Sequence, residues 1–181
     1  MVMIPAVAMR FAAAIALVLV TGAVRPASSA EEATVRAFAV WEAAGALVQT
    51  GVDTATFAGA LEGPYYIDGD KGPLAAGTMT CLVAVTISLE DGTQSGSGRC
   101  VFAHWDGARM FAEISCTGGH FVGCRGDLTL TGGDGRFAGI TGGALAIIRS
   151  DFATVAKASA EGSIQTGTGI LYLPAVHYAI P

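Results

Sequence analysis

The sequence predicts an all-β protein: a single domain of eight antiparallel strands closed into a β-barrel. Three observations carry this. The 181 residues include 25 glycines with no Gly-X-Y period, which marks a chain of many turns and excludes collagen. From Ala33 onward the apolar segments are short, and turn residues punctuate them at intervals of roughly a dozen. No long segment carries the 3.6-residue apolar period of an amphipathic helix. A small meander would leave strand edges exposed, and closure into a barrel removes them.

The first 30 residues are read separately. Phe11 to Val20 is an unbroken apolar run, with Arg10 before it, Gly22 and Pro26 after it, and the small residues Ser28-Ser29-Ala30 just ahead of Glu31-Glu32. That is the layout of a secretory signal peptide. A transmembrane anchor would need about 20 apolar residues in a row. Cleavage is expected after Ala30, which leaves a barrel domain over 31–181, large enough for one core. The exported chain is expected to be secreted or periplasmic, with no stable membrane insertion. With 10 basic and 15 acidic residues overall, and Arg10 and Arg25 lost with the signal, the mature net charge is −7. An acidic chain without a Lys/Arg cluster argues against nucleic acid or an anionic membrane surface as partner.

The strands follow in order. Val35 to Val48 contains alanines that would suit a helix, but Val35, Phe38, Val40 and Trp41 favour an extended segment. Thr56 to Ile67 reads as a strand interrupted near Gly63-Pro64, and Asp68 to Pro73 as a dense turn. Met79 to Leu89 alternates polar and apolar residues, and Asp91-Gly92 turns it into Gly98 to Trp105. Asp106-Gly107 leads to Ala108 to Cys116, followed by Phe121 to Thr131. The glycine-dense stretch Gly132 to Gly143 reads as a tight turn or bulge before Ala144 to Arg149, and Ser163 to Tyr178 closes the set.

Four cysteines, Cys81, Cys100, Cys116 and Cys124, imply a disulfide framework with three connectivities open. Cys116 and Cys124 flank a turn, which favours pairing across that hairpin, with Cys81 to Cys100 across the preceding one. No pair has C-x-x-C spacing and His104, His120 and His177 are scattered, so no metal is expected. The glycine-rich stretch lacks the Lys-Ser/Thr and the βαβ context of a phosphate loop, and no cofactor motif is found. Asp68-Gly69-Asp70 lacks the remaining ligands of a calcium loop. There is no G-x-S-x-G elbow.

Candidate site residues lie mainly on the segment 108–116. Arg109, Phe111 and Glu113 share one face by the two-residue period, and Met110, Ala112 and Ile114 share the other. With the first set inward, Glu113 becomes a buried carboxyl able to act as acid or base, with Arg109 and Phe111 beside a substrate. With that set outward, they form an ordinary surface pair, and this reading is preferred. His104 and Tyr66 carry the same ambiguity as substrate-binding candidates.

The run Leu128 to Gly142, Leu-Thr-Leu-Thr-Gly-Gly-Asp-Gly-Arg-Phe-Ala-Gly-Ile-Thr-Gly, resembles the G-G-T-G-R-F-x-G-I-T-G signature of bacterial exported proteins related to the allene oxide cyclase and dirigent barrels. Asp134 stands where that signature has Thr. The cysteine spacing, Asp106-Gly107 and Gly123 to Gly126 extend the likeness over about residues 79–148. The resemblance implies an eight-stranded barrel of lipocalin-like shape with an apolar lumen, and it leaves room for a homo-oligomer. It also implies an isomerase or cyclase acting by orientation of a reactive substrate. The family's catalytic positions do not map onto this chain residue by residue.

The expected function is binding of a small apolar molecule in the lumen, with isomerisation or cyclisation as an extension. The rival is a non-enzymatic envelope module with a packed barrel, since eight strands can be filled by side chains. A hydrolase centred on His104 or His177 is the third reading.

Overall fold

Every strand is hydrogen-bonded to the next in sequence and the last to the first, which closes an eight-stranded antiparallel barrel. The computed structural model describes residues 30–119, 122–151 and 162–181; the predicted export signal and His120 lie outside them. The strands are β1 (Glu31–Gly51), β2 (Thr54–Gly69), β3 (Gly72–Ser88), β4 (Thr93–His104), β5 (Arg109–Gly119), β6 (Gly123–Gly133), β7 (Thr141–Asp151) and β8 (Ser163–Ile180). The order is the predicted one, and the strands are longer than expected. β1 is extended throughout despite its alanines because β2 and β8 pair along both its sides. β2 continues through Gly63-Pro64, its register shift falling instead at Tyr65/Tyr66. β3 begins at Gly72 rather than Met79, because a tight turn at Asp70-Lys71 returns the chain directly.

Alternate residues face inward and form the core. Ala39, Trp41 and Leu47 come from β1, Phe57, Leu61 and Tyr65 from β2, Met79 and Ile87 from β3, and Phe102 from β4. Ala112 and Ile114 of β5, Leu128 and Leu130 of β6, and Leu171, Leu173 and Val176 of β8 complete the set. Arg36, Glu42, Glu62, Arg99, Glu113, Arg125 and Asp127 occupy the intervening, outward positions and are exposed. Both disulfides sit in the inner wall. Cys81 and Cys100 are direct cross-strand partners with Cα atoms 4.0 Å apart. Cys116 and Cys124 lie diagonally across β5 and β6 with Cα atoms 5.5 Å apart. The favoured connectivity is the observed one, and two structural disulfides point to an oxidising, extracytoplasmic compartment. No helix among the described residues is long and apolar enough to cross a membrane.

The two ends of the barrel differ. The β2–β3, β4–β5 and β6–β7 connections gather at one end. There the stretch read as a tight turn is a seven-residue connection, 134–140, containing one turn of 3-10 helix at Gly135–Phe137. Gly135 (φ 58°), its first residue, and Gly139 (φ 78°), beyond its end, supply left-handed backbone. The connection swings Ile140 inward until it is 1% exposed and packs Phe137 against the core, so this end is plugged. The opposite end, where β1 turns into β2 and β3 into β4, and where β5 and β7 end and β6 and β8 begin, is called the mouth.

The glycines have a second role that turn-counting does not reveal. Several lie within strands, on the lumen wall, beneath large side chains. A Cβ on Gly45 or Gly59 would meet the Phe57 ring at 2.7 Å or 2.6 Å, and one on Gly169 would run into the Trp41 indole. Trp41 and Gly169 are register partners on β1 and β8.

Candidate functional site: the lumen cavity

The plugged half of the barrel is filled by Tyr65, Met79, Phe102, Leu130, Ile140, Leu173 and Val176, all buried. The mouth half retains a partly open cavity of about 80 Å³. Trp41, Phe57, Leu61, Val83, Val85 and Ile114 line its apolar walls, and the Cys116–Cys124 bridge forms part of one side. Beside it Trp41 rests against Gly169 and Phe57 against Gly45 and Gly59, contacts that a Cβ at any of these glycines would block. Four polar residues line it: Gln94 near the start of β4, Ser97 further along β4, Ser150 near the end of β7 and Gln165 near the start of β8. Gln165 is buried, and its Nε2 donates to Ser163 Oγ at 2.8 Å. Among the described residues, no ionisable side chain lines this cavity. Its size is well below the roughly 300–1,000 Å³ of drug-sized sites and closer to engineered cavities of about 150 Å³ that take a single aromatic ring.

None of the five residues singled out from the sequence lines the cavity. Glu113 is on the outer face, its side chain 53% exposed, and its Oε1 lies 2.8 Å from Arg99 Nη2 of the neighbouring strand. The outward reading preferred from the sequence is the observed one, and Glu113 is no lumen acid or base, because Ala112 and Ile114 occupy the lumen side. Arg109 does not pair with Glu113. Its Nε and Nη2 donate to Asp134 Oδ2 at 2.8 Å and 2.6 Å, and its backbone N–H donates to Asp134 Oδ1 at 2.7 Å. Those hydrogen bonds, followed by the guanidinium charge, hold the Asp134 carboxyl below the ordinary range. Phe111 lies under the Arg109 guanidinium, 5.6 Å from it. Tyr66 is outside the barrel, stacked on Phe38 with ring centroids 5.0 Å apart.

His104 lies at the plugged end, with Nδ1 3.0 Å from Asp106 Oδ1 and its ring edge-on to Phe137. The Ala108 backbone N–H is the largest influence lowering the Asp106 carboxyl, and the Arg136 guanidinium on its other oxygen adds to it. Nearby, the buried Tyr65 hydroxyl has no hydrogen-bond partner among the described residues. Burial pushes its pKa up to about 12. His177 Nδ1 is 2.8 Å from Thr34 Oγ1 on the outer surface. No family model matches the chain, and no curated protein does.

The lining residues that sequence reasoning missed are Trp41, Phe57, Gln94, Ser150 and Gln165. Trp41 carried a signal, being a large aromatic in the middle of a strand that pairs with a glycine-rich one. The two glutamines carried none: Gln94 sits between Thr93 and Ser95, Gln165 follows Ile164, and polar residues near strand ends ordinarily face water.

Proposed function

We propose that the chain is an exported β-barrel that holds a small apolar molecule in its lumen, in the periplasm or outside the cell. The observation that carries this is the cavity itself: an apolar, partly open space walled in part by Trp41 and Phe57, where a packed barrel would be filled by side chains. The signal-like first 30 residues and the two disulfides support export. The pattern of apolar residues inside and charged residues outside is the reverse of a transmembrane barrel, which supports a barrel surrounded by water. The glycine signature at the β6–β7 connection supports kinship with the allene oxide cyclase and dirigent barrels. With no acid or base on the described lining, a transformation in this lumen would rest on shape and orientation alone. Binding without chemistry is the reading we favour.

The test uses the chain's two tryptophans. Trp105 is exposed and Trp41 lines the cavity, so the Trp105→Phe variant reports on the lumen. Titration with 1-hexanol should shift Trp41 emission saturably, and Glu113→Gln in the same background should bind equally well. A linear, unsaturable response would favour the packed envelope module instead.

A further inference from the structure

Resting on that reading, we propose that the lumen selects uncharged ligands: a slender apolar body entering first, with a neutral hydrogen-bonding end held at the mouth by Gln94 and Gln165. The cavity has an order along the barrel axis. Trp41, Leu61 and Ile114 stand toward its floor, while Gln94, Ser150 and Gln165 stand on the strand ends nearest the mouth. A molecule that fills the floor therefore leaves its other end among amides and a hydroxyl.

Those groups set the chemistry they can satisfy. A side-chain amide both donates and accepts, and a serine hydroxyl does the same. Alcohols, ketones, esters and amides find partners in either sense. An ionised carboxylate or ammonium finds no opposite charge on the described lining, and a charge taken out of water without a partner is heavily penalised. The described charged side chains nearest in sequence, such as Arg99, Glu113, Arg125 and Arg149, occupy outward, exposed positions. Gln165 is the firmest of the three because it is buried and already anchored to Ser163. The volume limits the body to a short alkyl chain or a single ring.

The experiment measures equilibrium dialysis of 1-hexanol, hexanoate and hexylammonium at pH 7.5 with the full chain, alongside Trp41 emission in the Trp105→Phe variant. Hexanol should bind, and both ions should bind at least roughly a hundredfold more weakly. Hexanoate should then gain apparent affinity by about tenfold per pH unit between pH 7.5 and 5.5, tracking its neutral fraction. Gln165→Leu and Gln94→Leu should each weaken hexanol by about five- to thirtyfold and leave n-hexane binding unchanged. Hexanoate binding at pH 7.5 within a few-fold of hexanol, or without the pH trend, overturns the selectivity while leaving the binding function standing. If none of the three compounds nor n-hexane binds, the lumen does not hold ligands and both readings fall.

Discussion

Trp41 and Phe57 shape the lumen through what lies beneath them. Gly169, Gly45 and Gly59 leave no Cβ against the rings, so two large aromatics sit where any other residue at these positions would collide with them. Tyr65, deeper in, is the opposite case: a polar atom buried in a packed region without a partner among the described residues. Removing an unsatisfied hydroxyl without changing shape is nearly neutral or stabilising. Its raised pKa also has a consequence for pH. The neutral phenol is favoured in the folded state, so its contribution is complete below pH 10.0 and is lost as pH rises toward about 12. Tyr65→Phe should therefore leave the melting temperature at pH 7 unchanged or higher and flatten its decline above pH 10; differential scanning calorimetry at pH 7 and pH 11 measures both. Glu113 illustrates the reverse lesson. Its candidacy depended wholly on which way one face of β5 points.

At the level of elements, the two-residue period of β5 correctly separated Arg109, Phe111 and Glu113 from Met110, Ala112 and Ile114, but a period alone does not say which set is inside. Neighbours decide that: Ala112 and Ile114 join a continuous core, and Glu113 meets Arg99 across the strand pair. The cysteines were more legible because each pair joins adjacent strands of a hairpin, where local turn signals fix proximity. The sequence separations are 19 for Cys81–Cys100 and 8 for Cys116–Cys124. By the chain-entropy relation these correspond to about 3.3 and about 2.6 kcal/mol. Urea denaturation should accordingly show a larger loss for Cys81→Ala/Cys100→Ala than for Cys116→Ala/Cys124→Ala. Only the second pair should also alter ligand affinity, since Cys116 and Cys124 line the cavity and Cys81 and Cys100 do not. The β6–β7 connection was legible as a break between strands but not as a plug. Nothing local to Phe137 and Ile140 announces that they close the barrel end.

Among the described residues the molecule is a closed sheet with charged side chains outside, an apolar lumen filled at one end and a partly open cavity toward the other. A ligand that binds this folded lumen and not the unfolded chain stabilises by mass action, by about 2.7 kcal/mol at a concentration one hundred times its dissociation constant. The melting temperature should therefore climb steadily with 1-hexanol at low concentrations that leave the Gln94→Leu/Gln165→Leu double variant unmoved. The sequence by itself determined the strand class and the strand order and favoured the cysteine pairing, because alternation, turn residues and hairpin proximity are local properties. Only the tertiary structure decided which face is lumen and whether that lumen is full or hollow. A two-residue alternation reads the same with its faces exchanged. The remaining volume is a sum over side chains from eight strands, and contacts such as Trp41 against Gly169 join residues far apart in the chain.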